Sequence, residues 1–212
     1  MVYLIRHGLT QWNTGGFFRG THDVQLSEEG RRQAHLLGKY LAGGSKKQKG
    51  AIIYTSPLSR ARETASIIAG YTGSRVVSDD RLIDVDFGNW QGKDVSQIKE
   101  KYPEQYRIYK KNPEKAAFPG GETLQECFQR CTQRLFDLAP KNDTETAMLV
   151  SHRVVLKLLL IGVLDLPLSA FWKIQLDTCS ISTVGTGDGT FVIKKINSTC
   201  HLTEGLDFTR DF

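Results

Sequence analysis

Short apolar runs of strand length alternate along this chain with longer stretches of helical spacing. Val2 to Ile5 is a first strand, closed by Arg6-His7-Gly8. A Gly-rich polar loop follows over residues 15–25. Ser27 then reads as an N-cap, with Glu28 and Glu29 in the first turn, where acids favour the positive end of the helix dipole. Ala34, Leu37 and Leu41 keep helical spacing until Gly43-Gly44 stops the helix. Ala51 to Tyr54 is a second strand. Leu58, Ala61, Ala65 and Ile68 line the next helix, which closes at Gly70, and Arg75-Val76-Val77 is a short third strand. The span from Asp94 to Phe118 is polar, with Tyr102, Tyr106, Ile108 and Tyr109 as its apolar points, and reads as short helices laid over a sheet. Pro119-Gly120-Gly121 breaks it. Thr123 and Glu126 have the spacing of a capping box for a helix facing inward through Leu124, Phe128, Cys131, Leu135 and Leu138. Thr146 to Val150 is a fourth strand ending in Ser151-His152, and Val154 to Leu164 is a largely buried helix. Cys179 to Val184 and Thr190 to Ile196 form two strands joined by Gly185-Thr186-Gly187-Asp188-Gly189. No helix follows that glycine run, so it reads as a hairpin turn and not a nucleotide loop.

Strand–helix alternation of this kind predicts an α/β fold with a mostly parallel sheet covered by helices on both faces. One domain over residues 1–212, with residues 93–120 as a small helical cap insertion, accounts for the pattern. With 212 residues and 40% hydrophobic content, the chain is long enough for a full core.

Composition narrows the function classes. No apolar run approaches the roughly 20 residues of a membrane span, and no leader pattern opens the chain, so a cytoplasmic protein away from membranes is expected. Cys127, Cys131, Cys179 and Cys200 form no CxxC pair, which points to reduced thiols and no metal site. The formal net charge is +5. Its densest basic run, Lys46-Lys47-Gln48-Lys49, lies among glycines without interleaved aromatics, which suits a solvated loop and an anionic small substrate better than nucleic acid.

Candidate chemistry gathers at strand ends. In such sheets ligands bind at the carboxyl edge of the strands. Arg6 and His7 follow strand one, Arg60 follows strand two, Asp84 follows strand three and His152 follows strand four. A neutral imidazole can attack phosphorus while guanidiniums hold the oxygens, so this set fits phosphoryl transfer. Arg60 and Arg62 both lie in a first helical turn, where a cation opposes the dipole; at least one is expected to face an anion.

Six stretches, LIRHGLTQWN, GTHDVQLSEEGRRQA, YTSPLSRARETA, FGNWQG, PGGETL and VSHRVV, resemble the histidine phosphatase superfamily, also called phosphoglycerate-mutase-like, in order and spacing from Met1 to about Leu164. The resemblance implies a three-layer α/β sandwich. It implies that His7 is a nucleophile forming phosphohistidine, that Arg6, Arg60 and His152 surround the phosphoryl oxygens, and that Asn13 and Thr21 contact substrate. No cofactor and no metal are implied. The family's usual general acid is Glu where this chain has Asp84, with Asp86 as a neighbouring alternative. Arg153 stands where Gly is common and either binds an anion or points to solvent. The compact FGNWQG segment favours a phosphatase over a bisphosphoglycerate-dependent mutase, and a phospholigand-binding module with weak activity is the third reading. The C-terminal part is similar to the metal-independent phosphoserine phosphatase branch. Phe87 stands where that branch tends to have His, and His201 is either a substrate contact or a tail-packing residue. The expected partner is a small phosphate ester, and a homodimer stays open.

Overall fold

In a computed structural model that describes residues 1–13, 16–44, 50–138, 146–187 and 190–202, six strands form one sheet. These are β1 (Val2–Arg6), β2 (Ile52–Thr55), β3 (Arg75–Ser78), β4 (Ala147–Ser151), β5 (Ile181–Gly187) and β6 (Thr190–Ser198), in the order β3-β2-β4-β1-β5-β6. β1, β2, β3 and β4 pair in parallel, while β5 and β6 are antiparallel to their neighbours, so the sheet is mostly parallel as the alternation predicts. The middle of the expected glycine turn, at residues 188–189, and the basic run at residues 46–49 lie outside the described residues.

Helices cover both faces. α1 (Glu28–Gly43) and α2 (Ser59–Thr72) pack on one side, where Leu37, Leu41, Ala61, Ala65 and Ile68 meet Ile5, Ile53, Met148 and Val150. α5 (Leu124–Asp137) and α6 (Arg153–Val163) pack on the other, against Val2, Leu4 and Leu149. Successive residues of β1 and β4 thus serve opposite faces, as a period of two requires. Sequence-encoded caps set the helix ends. Ser27 accepts from the Gly30 amide, and Thr123 with Glu126 forms a full capping box. α2 runs two residues past Gly70, because Gly73, at φ +66, supplies the left-handed stop.

Residues 93–120 carry the short helices α3 (Val95–Lys101) and α4 (Pro103–Lys111). They fold over an aromatic cluster centred on fully buried Trp90, whose ring meets Phe18 at 5.0 Å and Phe118 at 5.1 Å. Trp172 Nε1 donates to the Tyr109 carbonyl and ties this segment to the body. Among the described residues no helix is long and apolar enough to cross a membrane.

Candidate active site

The carboxyl ends of β1 and β4 carry the central residues. Arg6 pairs with Ser151 across the two strands, and the His7 amide donates to the Ser151 carbonyl. The segment after β1 lies against the first turn of α1 at backbone distance. A Cβ on Gly8 would stand 2.5 Å from the Gly30 carbonyl oxygen, and one on Gly30 would overlap the Leu9 carbonyl. Gly8 N–H also donates to Thr64 Oγ1 and Leu9 N–H to Gln33 Oε1, so the loop is fixed from two helices.

His7 is buried, and its Nδ1 lies 2.7 Å from its neighbour's carbonyl, Gly8 O. A carbonyl only accepts, so Nδ1 carries the proton and Nε2 keeps its lone pair. Burial first, then the charges of Arg60, Arg6 and Arg19, hold the imidazole well below the usual histidine range, so it is neutral at pH 7.

His152, buried with its ring centroid 5.1 Å from that of His7, is neutral for the same reasons, with burial first and Arg60 second. Its Nδ1 accepts from Arg60 Nε at 3.2 Å, which leaves the Nε2 proton to donate to Ser56 Oγ at 2.7 Å. The second imidazole is therefore an uncharged group that orients Arg60. Arg60 is buried and also donates to the carbonyls of Gly20 and His22, each at 2.8 Å, and to Asp84 Oδ2 at 3.3 Å. Arg62, the other arginine of that turn, is exposed. Arg6 donates from Nη1 to the Leu176 carbonyl.

A narrow cavity of about 20 Å³, room for roughly one water, is lined by His7, Arg19, Asp84 and Arg153, with walls from Phe17, Phe18, Gly20, Phe87 and Val154. Asp84 is buried there. Its carboxyl is raised above the usual range, because desolvation outweighs Arg60, Arg19, the Val85 amide and Arg153. Asp86 is elsewhere. Its Oδ1 accepts from the Gly88 amide, and its own amide is held by Glu122. Arg153, the first residue of α6, lines the cavity instead of leaving for solvent.

The remaining predicted contacts are less direct. Asn13 is buried, and its Oδ1 accepts from the Thr10 amide and hydroxyl, which shapes the loop after β1. Thr21 donates through both its amide and its hydroxyl to Gln91 Oε1, next to the cavity residue Gly20. His201 is not among the cavity's lining residues. Its Nε2–H donates to the Cys179 carbonyl and its ring lies against Tyr40. Phe87 is both wall and core, with rings of Phe18 and Phe118 at 5.1 and 4.7 Å. Arg19 was not singled out by the sequence. The loop of residues 16–22 that carries it is strapped to the FGNWQG turn, with Phe18 N–H donating to Lys93 O and Gly92 N–H to Phe18 O. Among the described residues no group of three or more His, Cys, Asp or Glu could hold a metal ion.

Comparisons with known proteins give the family of the fold. The profile of the histidine phosphatase superfamily, branch 1, matches residues 2–199. Phosphoserine phosphatase 1 of Hydrogenobacter thermophilus is 36% identical over 203 residues, covering 96% of this chain and 94% of the relative. A probable phosphoglycerate mutase, GpmB, of Yersinia pestis is 33% identical over 207 residues, covering 95% and 94%. Among solved structures, the Entamoeba histolytica phosphoserine phosphatase in complex with 3-phosphoglyceric acid superposes with a TM-score of 0.84 at 30% identity, covering 95% of this chain and 98% of that one.

Proposed function

The chain belongs to the histidine phosphatase superfamily, and from that premise we propose that it is a metal-independent phosphomonoesterase that hydrolyses a small phosphorylated metabolite through phosphohistidine on His7. The observation that carries this reading is the pairing of a tautomer-fixed neutral imidazole with a carboxyl raised by burial, His7 and Asp84, on one cavity among arginines. In the first step His7 Nε2 attacks phosphorus, and the bond to the ester oxygen breaks in line. The Asp84 carboxyl gives its proton to that oxygen. In the second step the Asp84 carboxylate takes a proton from water, the water oxygen attacks phosphorus and the N–P bond breaks. Free phosphate leaves and both groups return to their starting states.

The charge that builds on the equatorial oxygens is met by Arg6, Arg60 and Arg19, whose fields already converge on His7. This is catalysis by positioning and preorganised charge. His152 holds Arg60 in place, and Arg153 is the cation best placed for a second anionic group on the substrate. The relatives named as phosphoserine phosphatases favour a phosphorylated amino or hydroxy acid, with a sugar phosphate as the next candidate. The relative named as a probable mutase keeps isomerisation of a phosphoglycerate as the second reading.

The test is a panel of phosphomonoesters assayed for free phosphate, with 3-phosphoglycerate included and its products identified. Release of phosphate supports hydrolysis, and formation of the 2-isomer supports the mutase. His7→Ala should abolish turnover, and a trapped phosphoenzyme should be acid-labile and alkali-stable. An acid-stable phosphoester would refute His7 as the nucleophile.

A further inference from the structure

Asp84 sits on a segment without regular structure. After the 3₁₀ turn Asp80–Leu82, the chain runs through Ile83 to the turn at Gly88 with no strand partner. Backbone carbonyls in such a segment need partners from elsewhere. One side chain supplies most of them. Arg130, on α5, donates from Nη1 to the carbonyls of Arg81 at 3.0 Å and Ile83 at 2.8 Å, and from Nη2 to the carbonyl of Asp84 at 3.1 Å. The intervening Leu82 carbonyl accepts from Ser151 Oγ at 2.7 Å. All four carbonyls from Arg81 to Asp84 are thus fixed to the α5–β4 side of the molecule.

Arg130 is itself held. Glu122, in the PGGETL stretch, accepts from Arg130 Nη2 at 2.6 Å through Oε1 and from Nε at 3.0 Å through Oε2, a two-point pairing. The same carboxylate accepts the Asp86 amide at 3.0 Å, and the Glu122 amide donates to the Asp86 carbonyl. Glu122 therefore clamps the far end of the segment, while Arg130 clamps the near end. The pair is partly buried, at 22% and 18% side-chain exposure, so solvent competes with it weakly.

Asp has a short side chain with two torsions, and its carboxyl goes where its backbone puts it. Asp84 Oδ1 is already tied to the next amide, at Val85. We infer that Arg130 and Glu122 form the positioning unit for the general acid, holding the Asp84 backbone so that its carboxyl meets the leaving oxygen. This inference rests on the Asp84 role proposed above. It gives the PGGETL stretch a task in catalysis at a distance from the substrate.

The experiment compares kcat and KM of Asp84→Asn, Arg130→Lys, Glu122→Gln and the Asp84→Asn/Arg130→Lys double variant. Two substrates are used: an alkyl phosphate, whose leaving oxygen needs a proton, and p-nitrophenyl phosphate, whose phenolate leaves without one. Lysine keeps the charge but cannot serve three carbonyls and a two-point carboxylate together. Arg130→Lys should lower kcat on the alkyl phosphate by about 10- to 100-fold, less than the roughly 10²–10⁴-fold that general acid catalysis as a whole is worth, because a misplaced acid keeps part of its effect. Its KM, and its rate on p-nitrophenyl phosphate, should stay within about threefold. The double variant should be no slower on the alkyl phosphate than Asp84→Asn alone, because the two changes remove one function. Glu122→Gln should show the same substrate pattern at smaller size, and it answers the question should Arg130→Lys fail to fold. Equal losses on both substrates, or additive losses in the double variant, overturn the inference and leave Asp84 as the acid. An Asp84→Asn variant without leaving-group dependence overturns the acid assignment itself, and the positioning role with it.

Discussion

Acid should unfold this protein earlier than its net charge suggests, and two buried histidines are the reason. His7 and His152 are both held well below the ordinary imidazole value of 6.5 in the native state, first by burial and then by Arg60. In the unfolded chain both titrate near 6.5. Below that pH the unfolded state binds a proton on each histidine that the native state refuses. Stability therefore falls as pH falls, from about 6.5 down to the depressed native values. One refused proton costs a little over 1 kcal/mol per pH unit once the unfolded histidine is fully protonated; each is half protonated at 6.5, so the pair costs about 2 kcal/mol over the first unit of that window. That is a sizeable part of the roughly 5–15 kcal/mol typical of a domain. Asp84 acts in the opposite sense, because its raised carboxyl regains a proton in the native state before the unfolded one does, and this offsets part of the loss. A difference measurement removes that complication. Urea unfolding of wild type and His152→Gln at pH 7.5, 6.5 and 5.5 gives two slopes against pH. Glutamine does not titrate, so it shifts stability by a constant and removes one histidine's share of the slope. The wild type should be steeper by about 1 kcal/mol per pH unit below 6.5. Parallel slopes, or a wild type that gains stability on acidification, would show that His152 is not held neutral.

Three further outcomes follow from the site. Gly30→Ala would drive a methyl group into the Leu9 carbonyl, backbone that cannot swing away; a loss of about 3 kcal/mol and a lowered kcat are expected, and a urea midpoint and rate equal to wild type would contradict that close contact. Arg19→Gln removes a cation that lines the cavity and lowers the pKa of His7, so kcat/KM should fall by about 100-fold, the lower end for loss of one preorganised donor, and the acid limb of the rate profile should move to higher pH; an unshifted limb would confine Arg19 to the cavity wall. Because arginines supply the positive charge around His7, activity should survive a chelator, and a loss with EDTA that Mg²⁺ restores would refute metal-independent chemistry.

Most of the architecture was legible in the sequence because it is periodic. Ser27, Thr123 and Glu126 behave as local spacing predicts, since capping involves only neighbours three residues apart. The placement of Arg6, His7 and His152 at strand ends was also legible, because strand ends in a parallel sheet share an edge; Asp84 instead reaches the cavity from an irregular segment beyond the 3₁₀ turn Asp80–Leu82 that follows β3. What escaped was set by contacts between distant segments. Arg19 enters the cavity only because residues 16–22 are strapped to the turn at residues 88–93, and no period marks that fold-back. Arg130 lies between the buried Cys127 and Cys131 on α5 and reads as an ordinary polar position; its partners are loop carbonyls, which sequence does not display. That Asp84 lines the cavity while Asp86 accepts from the Gly88 amide depends on the turn at Gly88, which local spacing does not display. The neutrality of His152 needed its two ring contacts, to Arg60 and Ser56.

The position of β4 in the sheet has a consequence for how the protein comes to life on the ribosome. β4 lies between β1 and β2, which are consecutive in sequence order but not adjacent in space. A growing chain carries Arg6 and His7 from its first seconds, at about 5–20 residues per second. The early segments can form local pairs, α1 with α2 and β2 with β3. Until β4 emerges and inserts, no strand bridges β1 and β2, and His7 has neither the Ser151 carbonyl nor the His152 ring beside it. Long-range closures of this kind come late in folding. The histidine proposed as nucleophile is thus made early and surrounded late, so a stalled or truncated chain ending before β4 holds His7 without the neighbours that complete its site.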